Sequence, residues 1–277
     1  MQDVRLGTTD LQVSAIGLGT WSYGSDWGAV DVAGATETID RALQLGINLF
    51  DTAQAYGFGE AEQVLADALW RRVRRDEIVV ATKGGLRMEG TRLVRDASPG
   101  WLREGVEQSL RHLRTDYLDL YQVHWPDPRT PLEESAAALA ALVAEGKVRH
   151  VGVSNYDAEQ LAELGRFMNV ETLQPPYHLF RRQIEADVLP YCAAHDIGVL
   201  AYGPLAHGLL GGKMTAETTF SPGDWRAQSP DFTGDRFAAN VAVVEELEVF
   251  AARRGTSLTC DFSRVESTSG SDSCCRL

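Results

Sequence analysis

The chain has no apolar stretch near the roughly 18 uninterrupted residues that a membrane-spanning helix needs. Its opening residues, MQDVRLGTTD, contain no apolar core of a secretory leader. The two absences lead us to expect a cytoplasmic protein without a membrane partner. Basic charge is scarce: 26 Lys and Arg stand against 39 Asp and Glu, a net charge of -13. A nucleic-acid binder meets the phosphate backbone with a basic stripe, and none is present, so that class of partner is excluded. Cysteine is sparse as well. Only Cys192 lies in the body of the chain, while Cys260, Cys274 and Cys275 crowd its end without zinc-ligand spacing or nearby histidines. Neither a disulfide framework nor a metal site follows. No internal linker rich in Gly, Pro and Ser divides the chain, which favours a single domain.

What is present is a long alternation of apolar runs and amphipathic stretches over 277 residues, enough for one α/β barrel. After a segment that reads as an N-terminal hairpin, strands are predicted near Ile16 to Gly19, Ile47 to Asp51, Ile78 to Thr82, Leu118 to His124, Val148 to Ser154, Thr172 to Gln174 and Gly198 to Tyr202. Helix punctuation falls between them: Ser98 with Pro99 starts one helix, Pro131 opens another that closes on Gly146, and Glu185 to His195 reads as a solvated helix. From His207 to Arg236 the pattern lapses into a long Gly- and Pro-containing segment after a strand end, the usual place for a lid or binding loop. The glycine-rich GLGTWSYG does not open a helix as GxGxxG, and no acidic residue follows at the dinucleotide-fold spacing. A closed barrel is therefore expected over an open doubly wound sheet.

Four strand ends carry proton chemistry. Asp51 ends NLFD, Tyr56 lies just beyond it, Lys83 ends IVVATK and His124 ends LDLYQVH. In a parallel βα sheet these ends share one face, where such folds place their active sites. A phenol with pKa near ~10 becomes a useful acid at neutral pH only if its phenolate is stabilised by about 4 kcal/mol. The Lys83 ammonium is the obvious source, with Asp51 keeping it charged and oriented. His124 can donate a hydrogen bond to a carbonyl oxygen and so orient a substrate. Singly, each has a structural explanation as a cap, a surface charge or a packing residue. Their coincidence at equivalent strand ends points to a site.

The segments GLGTWSYG, NLFDTAQAYGFGEAEQVLADAL, IVVATKGG, YLDLYQVHWPD, VRHVGVSNY, TLQPPYHLF and GVLAYGPLAHGLLGGK, in that order from about Val4 to Lys213, resemble the successive signatures of the aldo-keto reductase family. The resemblance implies a TIM (β/α)8-type barrel with an N-terminal β-hairpin, and NADPH-dependent reduction of a small-molecule aldehyde or ketone. It assigns catalysis to Asp51, Tyr56, Lys83 and His124. Cofactor binding falls by the same matching to Gly19, Thr20 and Trp21, to Ser154, Asn155 and Gln174 around the nicotinamide amide, to Tyr202 beneath the ring, and to Gly203, Pro204, Leu205 and Lys213 along the pyrophosphate. Without the resemblance, Ser154 and Asn155 read as a helix-cap turn and Tyr202 as core. Trp21, Phe58, Trp125 and Trp225 lie just past strand ends or in the long segment and suggest an apolar substrate rim.

The chain departs from the family after Thr259, where CDFSRVESTSGSDSCCRL shows neither helical periodicity nor a strand-like run. We therefore expect residues 1–259 to form an incomplete barrel, with the eighth strand missing or replaced, and residues 260–277 to be a disordered tail. Weaker stability than in a full-length relative follows from that expectation, because an unclosed barrel leaves open edges, and the resemblance implies weaker NADPH binding, because the family's segment that grips the adenosine 2'-phosphate is missing. Three rivals stand beside the reductase: a nucleotide-binding regulatory subunit resembling potassium-channel beta subunits, a Schiff-base lyase using Lys83, and an inactive product of an otherwise catalytic gene.

Overall fold

A computed structural model describes residues 1–259 apart from 222, together with Cys274–Arg276. The chain opens with strand β1 (Asp3–Arg5) paired antiparallel to β2 (Gln12–Ser14), the expected hairpin. There follow, in order, β3 (Leu18–Gly19), α1 (Val32–Gln44), β4 (Leu49–Asp51), α2 (Glu60–Leu69), β5 (Val79–Gly84), β6 (Leu86–Glu89), β7 (Arg92–Arg95), α3 (Pro99–Leu113) and β8 (Leu118–Val123). The second half runs α4 (Leu132–Ala144), β9 (Val148–Ser154), α5 (Ala158–Leu164), β10 (Thr172–Gln174), α6 (Val188–Ala194), β11 (Gly198–Ala201), α7 (Gly234–Arg253) and β12 (Cys274–Arg276). Eight strands form one parallel sheet in the order β12-β11-β10-β9-β8-β5-β4-β3, the sheet of a TIM-type barrel. All seven strands expected in the first 202 residues are present.

Strands β5 and β8 are buried along their whole length, as both faces of a helix-wrapped parallel sheet must be. Their alternating residues meet two different clusters. Leu49, Val79, Ala81, Leu120 and Leu200 face inward and meet Leu6, Leu11 and Val13, which plug the floor. Phe50, Val80, Tyr121, Val123, Val153 and Val199 face outward into a larger core with Ile39, Leu65, Leu102 and Leu139 of the helices. The plug comes close enough that a Cβ on Gly7, at φ 56°, would overlap the backbone of Gly198 and Glu171, so glycine is required there.

The eighth position is occupied by three residues, Cys274–Arg276, paired parallel to β11. Among the described residues β12 has no pairing with β3, so the sheet is curled but not hydrogen-bonded into a ring. The remainder of the tail from 260 lies outside the described residues.

Three sequence expectations are adjusted. The stretch after Lys83 does not pass directly to a helix: Gly85 and Gly90, at φ 90° and 63°, turn the chain into the β6–β7 hairpin, whose Leu86 is buried. Helix α6 starts at Val188 rather than Glu185, because Asp187 caps it by accepting from Val188 N. The segment from His207 is not featureless; it folds into short 3₁₀ turns at Ala206–Gly211, Trp225–Gln228 and Pro230–Phe232 before α7.

Candidate active site

Asp51, Lys83 and His124 arrive together because each closes a neighbouring strand or follows its end, and registry fixes their heights: Asp51 opposes Ala81, and Lys83 opposes Gln122. Tyr56 follows in the loop from β4. Lys83 Nζ donates to Asp51 Oδ2 at 2.6 Å, to Thr52 O at 2.8 Å and to Tyr56 Oη at 3.3 Å, which uses all three ammonium donors. Asp51 Oδ1 accepts from Gln174 Nε2 at 2.8 Å. The His124 ring stands edge-on to Tyr56 with centroids 5.7 Å apart. The four groups reached from strand ends converge on one point.

The electrostatics follow from burial. Desolvation pushes the Lys83 ammonium below the ordinary lysine range and the Asp51 carboxyl above the usual carboxylate range, and their mutual attraction opposes both. The ammonium thus gives up its proton more readily than a surface lysine, and the Asp51 carboxylate opposes that loss. His124 is driven well below the usual imidazole range by desolvation and by Lys83, and it is neutral at pH 7. A neutral imidazole carries one N–H, so it donates to an oxygen through a single nitrogen.

Above Tyr56 lies a cavity of about 770 Å³. Its walls include Trp21, Phe58, Trp125 and Trp225, the whole apolar rim read from sequence, together with Ser154, Asn155, Gln174 and Tyr202. These polar residues are already linked. Tyr202 Oη donates to Asn155 Oδ1 at 2.9 Å, Asn155 Nδ2 donates to Ser154 Oγ and to His124 O at 3.0 Å, and Ser154 Oγ donates to Gln174 O at 2.8 Å. Asn155 holds a left-handed backbone at φ 64° to do this. Burial raises the Tyr202 phenol to about 12, so it stays protonated.

The remaining expected residues are placed less centrally. Gly19 pairs with Asp51, and the Thr20 hydroxyl donates to Asp51 O at 3.0 Å, so both brace the strand end. Gly203, Pro204 and Leu205 follow β11 without lining this cavity, and Lys213 is exposed and outside it.

Several contributors escaped the sequence. Trp27 packs edge-on against Trp21 at 5.0 Å and against Trp225 at 5.7 Å, and His207 sits 4.9 Å from Trp225. Arg226 bonds to His207 O at 3.1 Å, pairs with Asp224 at 2.6 Å and lies 4.6 Å over Trp27. The long segment is thereby fastened across the cavity mouth. Leu86, Met88 and Leu93 of the unforeseen hairpin complete the wall. Only the alternating pattern of LRME and RLVR around a glycine signalled this hairpin in advance.

Residues 15–260 match the model of the Aldo/keto reductase family. The chain is 44% identical over 255 residues to aldo-keto reductase YhdN of Bacillus subtilis, covering 92% of this chain and 77% of that protein. It is 36% identical over 269 residues to the NADH-specific methylglyoxal reductase of Escherichia coli, covering 91% and 82% respectively. Among solved structures, a glycerol dehydrogenase from Gluconobacter oxydans superposes with a TM-score of 0.87 at 40% identity, over 99% of this chain and 86% of that one.

Proposed function

The chain belongs to the aldo-keto reductase family and is an oxidoreductase, and on that premise we propose that it reduces an aldehyde or ketone to an alcohol with Tyr56 as proton donor and NADPH as reductant. The observation that carries this reading is the Lys83 ammonium, shared between Asp51 Oδ2 at 2.6 Å and Tyr56 Oη at 3.3 Å.

A reduced nicotinamide, when bound, supplies hydride to the carbonyl carbon. The residues present fit such a group: Tyr202 offers an aromatic face, and Ser154, Asn155 and Gln174 offer polar groups on the wall of the same cavity. Everything else is the work of the chain. As the carbonyl oxygen gains charge, Tyr56 Oη transfers its proton to it, and the adjacent ammonium stabilises the phenolate left behind. Asp51 and Thr52 O hold Lys83 in place. The neutral His124 directs its N–H to the same oxygen and fixes the substrate's orientation. Stacked indoles exclude water and favour an apolar or aromatic substrate body.

Tyr56→Phe is expected to lower kcat on an aromatic aldehyde by a factor of about 10² to 10⁴ while leaving NADPH affinity, read by fluorescence titration, unchanged. Retained turnover removes Tyr56 from its role. Because the Escherichia coli relative is named for NADH, titration of the same protein with both cofactors tests the choice of NADPH directly.

A further inference from the structure

The cavity above Tyr56 opens into a second hollow of about 850 Å³ beside β9 and β10, and Trp125, Asn155, Arg181, His207 and Trp225 line both. Charges around this joined space are unequally settled. Asp224 is paired with Arg226 at 2.6 Å, Asp231 with Arg236 at 2.8 Å, and Asp157 caps α5 by accepting from Gln160 N. Arg95 lies 4.9 Å over the Trp125 ring and donates to Pro126 O at 3.2 Å. The Arg181 guanidinium is different, having no hydrogen-bond or ion-pair partner among the described residues.

The base of Arg181 is nevertheless fixed. Arg181 N donates to His178 O at 2.7 Å and His178 N to Arg181 O at 3.4 Å, closing a tight turn whose Leu179 and Phe180 pack into the core beneath the long segment. The side chain, which is exposed, thus leaves a hydrogen-bonded turn at the junction of the two hollows. The two imidazoles that share this wall do not compete as cations. Burial, helped by nearby positive charge, pushes both His178 and His207 down to about 4, leaving them neutral at pH 7. Among the described residues Arg95 and Arg181 line this space without an ion-pair partner, against the single carboxylate so placed, that of Asp157, so the balance of charge facing it is positive in a chain whose net charge is -13.

A guanidinium is a planar fork of donors that matches a carboxylate in two parallel hydrogen bonds. We propose that Arg181 is a specificity-determining residue that receives a carboxylate of the substrate, so that the preferred substrates are carbonyl compounds carrying an anionic group away from the reacting carbon. The proposal rests on the reductase reading, because Tyr56 and His124 line the same cavity.

Two aldehydes of similar size separate the possibilities: 4-carboxybenzaldehyde, which is anionic, and methyl 4-formylbenzoate, which is neutral. The expected result is that Arg181→Gln raises KM for the acid roughly tenfold or more with kcat little changed. It leaves the ester and the NADPH affinity untouched, and Arg181→Lys recovers part of the loss. An equal effect on acid and ester, or a loss confined to cofactor affinity, overturns the proposal. A second readout needs no turnover. Terephthalate binding to the cofactor-loaded protein, followed by quenching of the cavity tryptophans, should be lost in Arg181→Gln, while dimethyl terephthalate distinguishes the two proteins little. If neither aldehyde is reduced but terephthalate binding still depends on Arg181, the reductase reading fails and the anion site stands. If terephthalate binds both proteins alike, the anion site fails whatever the turnover.

Discussion

Asp51 and Lys83 are 3% and 0% exposed, and a charge pair so deeply buried is held by its geometry rather than by its burial, which disfavours both ions. The arrangement meets that demand by giving every donor and acceptor a partner: Thr52 O and Tyr56 Oη for the ammonium, Gln174 for the carboxylate. Asp51→Asn removes the charge that opposes loss of the Lys83 proton. We expect it to lower stability by about 3 kcal/mol in urea unfolding. It should also move the alkaline fall of turnover to lower pH, because the lysine, already depressed by burial, drops further. A pH profile of kcat/KM checks the second expectation, and an unchanged alkaline limb contradicts it. Residue identity at Asp51, Tyr56, Lys83 and His124 was legible from sequence because strand ends of a parallel sheet share a face. The aromatic partners Trp27 and His207 were not, since they meet only where the long segment packs against the turns that follow β3.

At the scale of elements, the hairpin β1–β2 is tied to the barrel floor by an ionic link as well as by its apolar plug. His150 of β9 bonds to Glu171 Oε1 through Nδ1 at 2.9 Å and to Asp10 Oδ1 through Nε2 at 2.8 Å, and Glu171 Oε2 accepts from Val151 N. Arg149, 3.8 Å from Asp10, adds positive charge at the same corner. These carboxylates raise the His150 pKa above its ordinary value, the Glu171 hydrogen bond being the largest cause. A group whose folded pKa lies above its unfolded value contributes fully below about 6.5 and loses that contribution as pH rises through the folded value. Asp10 behaves oppositely: His150 lowers its pKa, so its contribution is present above the unfolded carboxylate value and is lost as pH falls through the lowered one. The difference in urea midpoint between the native chain and His150→Gln should therefore be largest near pH 6 and shrink toward pH 9. A difference that grows over that interval refutes the link. The hairpin itself was legible from sequence; its attachment was not, because His150 and Asp10 are 140 positions apart.

For the whole molecule, the parallel sheet ends at β3 on one side and at the three residues of β12 on the other, with no ladder between them among the described residues. A ligand that spans the C-terminal face of such a sheet binds the native state and not the unfolded one, and so stabilises it by mass action. At a concentration of about 100 times Kd the gain is about 2.7 kcal/mol, which for a domain of this size corresponds to a rise in Tm of roughly 5 to 10 °C. Thermal melts with NADPH and with NADH read this shift and rank the two cofactors independently of activity; no shift with either one contradicts cofactor binding by this chain. The seven sheet strands of the first 202 residues and the placement of Asp51, Tyr56, Lys83 and His124 at or just past strand ends followed from the sequence alone, because apolar runs and the residues that end them are local properties that repeat along the chain. What only the tertiary structure decided were the contacts between distant segments: the indole cluster, the strap pinned by Arg226, and the guanidinium of Arg181 left unpaired at the junction of two hollows. No local pattern encodes those, since whether a charge finds a partner depends on which loops the closed packing brings beside it.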